Sequence, residues 1–374
     1  MIYLDNAATT PLSPNAKEAM DVYWNNEFGN PSSLYSIGVH NKKVLQDCRK
    51  RIANCINAKN DEIYFTSCGT ESDNWALQGT AFQLKEKGNH IIVSSIEHHA
   101  ILNTCKFLET IGFEITYLPV NEYGEVTVDS LNNAINDNTI LISIMLVNNE
   151  LGTIQNIKQL CKIAHEKNIL FHTDAVQAVG HIPVDVMDLN VDMLSCSGHK
   201  FNGPKGIGFL YIKNGITINP LLHGGQQEKN MRAGTENIPL IVGMATALEE
   251  HVNSFSKNIT YINSLRETII QNLKNLKIDF KINGSVNHAP GILNISFYNV
   301  EGEVLLHRLD LKGICVSTGS ACDSKNTQLS HVLKAIKCNE KYAYGTIRIS
   351  LSEANTLDEI NYFINELKAI LNIN

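Results

Sequence analysis

Lys200 follows a short apolar run and opens a glycine-rich loop. The stretch from Asp192 to Gly208 reads D-M-L-S-C-S-G-H-K-F-N-G-P-K-G-I-G. A lysine presented this way can form a Schiff base with an aldehyde. Ser197, His199 and Lys200 are three groups that could meet one phosphorylated ligand. Gly198, Gly203, Gly206 and Gly208 open backbone conformations closed to other residues. Asp174 ends the apolar run I-L-F-H-T-D, where a buried carboxylate is costly unless paired. Its partner is either a protonated pyridine nitrogen, with Gln177 beside it, or a helix start that it caps. S-C-G-T-E-S-D-N, residues 67 to 74, joins strand, turn and helix start, which offers backbone N–H groups to an anion. Gly69 permits close approach and Thr70 adds a hydroxyl; a plain helix N-cap is the alternative. His98 could stack on an aromatic cofactor, with His99 pointing elsewhere. A metal site at this pair would need further ligands at suitable spacing. Arg348 lies on the apolar run T-I-R-I-S-L, so it must be paired, either with a substrate carboxylate or in a structural ion pair.

These residues need a scaffold, and the hydrophobic pattern supplies one. Strands are expected at 63–66, 90–94, 115–118, 140–147, 169–173, 193–196 and 208–212. Helices are expected at 15–24, 40–56, after the turn at 67–74 to about 87, 100–111, 128–133, 157–167 and 238–252. Short apolar strands between amphipathic helices predict an α/β domain with a mostly parallel seven-stranded sheet flanked by helices. Such sheets bind ligands beyond the carboxyl ends of their strands. His98, His99, Asn148 to Glu150, Asp174 and Ser197 to Lys200 all fall at those ends, which points to one shared site. After about residue 255 the pattern becomes a smaller α+β unit. A helix is expected at 262–276, strands at 291–297, 314–317 and 346–351, and helices at 303–309, 329–336 and 357–371. The large domain is expected over 15–254, and the small one over 1–14 and 255–374.

Composition excludes several classes. The chain has 374 residues, 43% hydrophobic and 18% charged, with a formal charge of −7. That balance disfavours a general nucleic-acid or membrane-surface role. No apolar run approaches a membrane span, and the first residues lack the pattern of a secretory signal. The nine cysteines form no C-x-x-C pair, so neither a zinc site nor a disulfide framework is indicated, and a reducing cytoplasm is the expected compartment.

Nine motifs then occur together and in order. They are Y-L-D-N-A-A-T-T-P (3–11), T-S-C-G-T-E-S-D-N (66–74), E-H-H-A-I-L (97–102), V-N-N-E-L-G (147–152), D-A-V-Q (174–177), S-G-H-K (197–200), R-A-G-T-E-N (232–237), G-S-A-C (319–322) and T-I-R-I-S-L (346–351). Over nearly its whole length the chain resembles the cysteine desulfurases of the NifS/IscS type, which are class V aminotransferases of the fold-type-I pyridoxal-phosphate (PLP) enzymes. G-S-A-C narrows the resemblance from the superfamily to this group. It implies that Lys200 holds PLP covalently and acts as the base. Asp174 would pair with the pyridinium nitrogen and Gln177 with the ring hydroxyl, while His98 stacks on the ring. Asn149 would lie near ring and substrate. Gly69, Thr70, Ser197 and His199 would hold the phosphate. Thr235 would reach the phosphate of the neighbouring subunit of a homodimer. Arg348 would bind the carboxylate of L-cysteine. Cys322 would take the sulfur as a persulfide while alanine leaves, so Lys200, His98 and Cys322 form the expected catalytic set.

Cys322 sits among Gly319, Ser320, Ala321, Asp323 and Ser324, a loop composition that suits a thiol which must visit the site and then present its sulfur elsewhere. About 3% of an unperturbed cysteine is thiolate at pH 7, which is workable for a soft nucleophile. The other eight cysteines are expected to be buried and inert. Asp323 stands where the family commonly has a small neutral residue, and its charge disfavours the thiolate. The chain ends soon after its last helix, without the longer tail that contacts the iron–sulfur scaffold protein in some members. The sulfur acceptor is therefore either such a scaffold or a tRNA-thiolation partner. No resident metal is expected, although Cys322 could transiently ligate a nascent iron–sulfur cluster. The competing readings are another PLP enzyme of this fold, such as a selenocysteine lyase or an aminotransferase, and a non-catalytic assembly subunit.

Overall fold

A computed structural model describes residues 1–319 and 329–371. Its strands are β1 (Ile2–Tyr3), β2 (Ile63–Thr66), β3 (His90–Ser94), β4 (Glu114–Leu118), β5 (Thr139–Ser143), β6 (Leu170–Asp174), β7 (Met193–Ser197), β8 (Gly208–Ile212), β9 (Phe280–Asn283), β10 (Ile292–Phe297), β11 (Ile314–Cys315) and β12 (Thr346–Ser350). The large sheet has seven strands in the order β2-β8-β7-β6-β5-β3-β4. Every strand runs the same way except β8, which is antiparallel to both its neighbours. The expected mostly parallel sheet is therefore the one that forms. Consecutive apolar residues such as Ile91, Ile92 and Val93 are all fully buried, because helices cover both faces.

The smaller unit is built on the antiparallel order β12-β10-β9. Leu265, Ile269, Leu293, Ile295, Ile347 and Phe363 lie in its core, and Leu4 joins them. The chain start is thus part of this unit: β1 pairs in parallel with β11 through Ile2↔Ile314 and Tyr3↔Cys315. The next residues cross to the large sheet, where Thr10 N–H donates to the His199 carbonyl at 3.0 Å and Ser13 N–H to that of Asn202 at 2.8 Å. This N-terminal strap crosses the mouth of the site.

Three local expectations need correction. The helices expected at 238–252 and 262–276 are one helix, Ile238–Asn275. The run between them contains neither Pro nor Gly, and so the helix continues across residues 254 and 255 with polar side chains on its surface. The strand expected over 140–147 ends at Ser143. Beyond it Asn148, fully buried, folds the chain back: its Oδ1 accepts from Glu150 N at 3.0 Å and Leu151 N at 2.8 Å. Strand β9 was not expected, since its residues F-K-I-N are partly exposed and lack a clean alternation. No helix among the described residues is long and apolar enough to cross a membrane.

Candidate active site

A cavity of about 220 Å³ opens beyond the carboxyl ends of β6 and β7. Lys200 enters it from a single 3-10 turn, Gly198–Lys200, that follows β7. Its Nζ donates to the carbonyls of Ala7 at 2.7 Å and Ala8 at 3.0 Å on the N-terminal strap. Of the four glycines around this turn, only Gly206 takes a left-handed φ, +84°. The others were expected to do so too, but Gly203 and Gly208 are needed for closeness instead. A Cβ on Gly208 would stand 2.4 Å from the Cys196 carbonyl, and one on Gly203 2.7 Å from that of Gly198.

The walls come from several elements. Gly69 and Thr70 begin the helix Gly69–Leu84, where first-turn amides have no intrahelical acceptors. A Cβ on Gly69 would lie 2.7 Å from Val176 Cγ2, so glycine keeps that wall open. Ser197 and His199 line the same end, and His199 Nδ1 lies 3.1 Å from Thr9 Oγ1. Burial, with the charges of Lys200 and Lys205, pushes His199 down to about 4, so it is neutral near pH 7. His98 caps the helix His99–Thr110: its Nδ1 accepts from Ala100 N at 3.1 Å. That bond commits the Nδ1 lone pair, which leaves the proton on Nε2.

Asp174 forms the floor. It is buried at the end of β6, and its Oδ1 accepts from Val176 N at 2.9 Å. Burial raises its carboxyl to about 6, while the Val176 N–H and the Lys200 charge pull it back. A carboxylate held there calls for a cationic partner. Gln177 lies beside it, its Nε2 donating to the Ala7 carbonyl at 2.8 Å. On the opposite side Arg348, 1% exposed, reaches in from the small sheet. Its Nη2 lies 2.7 Å from Asp5 Oδ1 and its Nη1 donates to the Asn149 carbonyl at 2.9 Å. Its Nε is buried with no hydrogen-bond partner among the described residues.

Lys200, Asp174, Gln177, His98, Asn149, Gly69, Thr70, Ser197, His199 and Arg348 thus line one cavity. Thr235 does not: it is exposed on a loop away from this chain's own site. That loop is nonetheless tied to the cavity wall, because Arg232 holds Glu71 through Nε at 2.7 Å and Nη2 at 3.0 Å. Cys322 and Asp323 lie outside the described residues. Cys68 was expected to be buried and inert, but it is half-buried and lines the cavity, because it precedes the Gly69 opening. Sequence reasoning also missed Asp5, the Ala7 and Ala8 carbonyls, and Asp73. The run D-N-A-A-T-T was visible, but nothing local to it says that it folds over a lysine almost two hundred residues away.

One other constellation resembles a catalytic triad and is not one. Cys161 Sγ lies 3.7 Å from His165 Nε2, but that same nitrogen lies 2.9 Å from Asp192 Oδ2. Burial pushes the Cys161 thiol up to about 12, so it stays protonated.

Comparison with known proteins follows the same outline. The model of the family described as Aminotransferase class-V matches residues 2–363. A protein of Methanosarcina thermophila named cysteine desulfurase IscS is 51% identical over 362 residues, 96% of this chain and 89% of that one. A solved structure titled NifS-like protein superposes with a TM-score of 0.94 at 38% identity, covering 99% of each chain. Another, titled SspA in complex with cysteine, gives a TM-score of 0.84 at 38% identity over 95% of this chain and 100% of that one.

Proposed function

This chain belongs to the class-V aminotransferase family, and we infer that it is a cysteine desulfurase of the NifS/IscS type, removing sulfur from L-cysteine with release of L-alanine. One observation carries the reading: Lys200, Asp174, His98 and Arg348 converge on a single cavity. Each suits a different part of pyridoxal 5'-phosphate or of an amino-acid substrate. The residues fit that cofactor in kind as well. A buried carboxylate at the floor suits a protonated ring nitrogen. A glycine whose Cβ would fill the wall, beside Thr70, Ser197 and neutral His199, suits a phosphate. The Arg348 guanidinium, which lines the cavity and is not held bidentately by a carboxylate, suits a substrate carboxylate.

When bound, the cofactor supplies an electron sink that makes the substrate Cα proton acidic. The chain does the rest. Lys200 Nζ holds the cofactor and then accepts the Cα proton, while the strap carbonyls of Ala7 and Ala8 fix where that amine rests. Asp174, as a carboxylate, would hold the ring nitrogen, and Gln177 the ring hydroxyl. His98, in the orientation its Nδ1 bond sets, would cover the ring. Arg348 and Asn149 orient the amino acid. Cys322 Sγ, as thiolate, attacks the substrate sulfur; the Cβ–S bond breaks, the carbon side is reprotonated to alanine, and the persulfide remains on Cys322. That role rests on G-S-A-C in the sequence. The sulfur then passes to an acceptor in iron–sulfur assembly or tRNA thiolation. Thr235 serves a second subunit's phosphate in a homodimer, a reading supported by its exposure and by the Arg232–Glu71 tie.

The test is incubation with L-cysteine, followed by assay for alanine and by mass spectrometry of the Cys322 peptide. Equal alanine and persulfide are expected in a single turnover. Cys322→Ala should keep the visible absorption of bound cofactor and form no persulfide. Sulfide release at the wild-type rate in that variant would sink the assignment of Cys322. Lys200→Ala should lose the covalent cofactor band and all turnover.

A further inference from the structure

Beneath Asp174 lies a second buried carboxyl that the reaction as described does not use. Asp73 sits in the first turns of the helix Gly69–Leu84, 1% exposed, and lines the same cavity wall. Its Oδ1 has no hydrogen-bond partner among the described residues. The nearest basic nitrogen is His172 Nε2, 3.8 Å away on β6. His172 is fully buried between two hydroxyls: its Nδ1 is 2.8 Å from Ser143 Oγ and its Nε2 2.9 Å from Ser195 Oγ. The Ser195 hydroxyl also faces the Asp73 carboxyl.

We propose that Asp73 is a positioning residue for the cofactor's ring nitrogen: it stands as a neutral carboxylic acid, keeping the one proton of the Asp73/Asp174 pair so that Asp174 remains the carboxylate. The inference rests on the cofactor reading above. Asp73 and Asp174 are both buried in the lining of one cavity, where two such carboxyls resist ionising together, so one proton stays with the pair. The structure decides which group holds it. Asp174 has the Val176 N–H and the nearby Lys200 charge to stabilise its anion. Asp73 has only the Ser195 hydroxyl to set against an orphaned Oδ1 and no cation, and an ionised carboxylate in that condition is far costlier than a neutral acid. The other titratable groups that face Asp73 are Glu97 after β3 and Cys68 at the helix start, and neither supplies a cation. Burial, followed by the Asp174 charge, accordingly raises Asp73 well above the usual carboxyl range. Burial pushes His172 down to about 3, so no cation is supplied from that side.

Hydrogen bonds then run in one direction. The Asp73 O–H donates toward Ser195 Oγ, Ser195 O–H donates to His172 Nε2, and His172 Nδ1–H donates to Ser143 Oγ. In this arrangement Asp73 acts through Asp174 and touches no substrate.

Infrared difference spectra of the loaded enzyme in H₂O and D₂O test this directly. A protonated carboxyl gives a C=O band that shifts on deuteration. Glu97 is itself raised to about 8 by burial and contributes a second such band near neutral pH, so Glu97→Gln serves as the control. The band expected for Asp73 is lost in Asp73→Asn and survives in Glu97→Gln. Ser195→Ala, which leaves both carboxyls in place, should shift that band. Cofactor Kd should change by less than about threefold in Asp73→Asn, because the amide is also neutral, and should weaken tenfold or more in Asp73→Ala. Bands indifferent to Asp73→Asn and Ser195→Ala, or a tenfold loss of cofactor in Asp73→Asn, would overturn the proposal. Absence of any visible cofactor band in the wild type is a separate result: it removes the cofactor reading, and the ring-nitrogen role of Asp73 with it.

Discussion

Two buried arginines, Arg49 and Arg348, are 3% and 1% exposed, yet their surroundings differ in a way that separates structure from function. Arg49 grips both oxygens of Glu228, at 2.7 and 2.6 Å, and lies over the Phe65 ring at 4.6 Å. Glu228 also accepts from Phe65 N at 2.9 Å. This closed pair pins a turn in which Glu228, Lys229 and Asn230 all take positive φ, a strained course for three non-glycine residues. Arg348 instead meets one oxygen of Asp5 and one carbonyl, and it lines the cavity; the Nε of each arginine lacks a hydrogen-bond partner among the described residues, so that atom does not separate them. The first arginine spends its carboxylate-binding geometry inside the fold. The second keeps part of that geometry open toward a cavity. A buried arginine read from sequence is ambiguous between these roles; what resolves it is whether one carboxylate takes both ends of its fork and whether it lines a cavity.

The strongest way to break this contrast is at Arg49. Arg49→Met leaves Glu228 buried without its cation, and should cost about 3–5 kcal/mol of stability in urea unfolding. Adding Glu228→Leu should restore most of that loss, since the pair is replaced by apolar contact. If the single change costs under about 1 kcal/mol, the closed pair is not holding the turn. Arg348→Met should act on catalysis. Loss of charge-assisted bonds to the substrate carboxylate should lower kcat/KM for L-cysteine about 100-fold, equivalent to ~3 kcal/mol. The cofactor spectrum should survive. A fall of less than threefold would make Arg348 as purely structural as Arg49.

Glu97 extends the comparison to an acid with no cationic partner among the described residues. Its Oε1 accepts from Ser94 Oγ at 2.6 Å and Met145 N at 2.9 Å, while its Oε2 has no partner among the described residues. Burial raises it to about 8. The folded chain therefore keeps a proton that the unfolded chain releases near pH 4.5, so this contribution is full below that pH and is lost as pH rises toward 8. Between pH 6 and 8 the loss should be on the order of 2 kcal/mol, and Glu97→Gln should flatten it. Equal slopes for both proteins in urea unfolding at the two pH values would show that Glu97 is ionised throughout.

Much of this site could be read in the sequence, for a definite reason. Asp174, Ser197 and Lys200 stand at strand ends in a sheet whose apolar runs are unmistakable, and Gly69 with Thr70 stands at a strand-to-helix turn. Local pattern sufficed to place them beyond one sheet edge. What was hidden depends on distant contacts. Asp5 meets Arg348, and the Ala7 and Ala8 carbonyls meet Lys200, only because β1 pairs with β11 and aims the strap across the cavity. Asp73 looked like an ordinary helix-start acid, and nothing in T-E-S-D-N shows that it faces His172 nearly one hundred residues later. The long helix Ile238–Asn275 was split because the apolar spacing weakens across residues 253 to 261, where the helix continues with a largely polar surface.

Asp5 gives the smallest and most discriminating prediction, because two effects on Arg348 oppose each other. The Asp5 charge holds the guanidinium in place, but it also neutralises part of the positive charge that a substrate carboxylate would feel. Asp5→Asn keeps an acceptor at Oδ1, so the 2.7 Å contact can persist and Arg348 stays aimed. What is lost is the competing negative charge, in a partly solvated position where one ion pair is worth about 1 kcal/mol. KM for L-cysteine should therefore fall by about two- to fivefold with kcat little changed. Asp5→Ala removes the acceptor as well, frees the guanidinium to turn, and should raise KM instead. If both variants raise KM alike, positioning outweighs charge at Asp5, and the open side of Arg348 depends on its anchor as fully as Arg49 depends on Glu228.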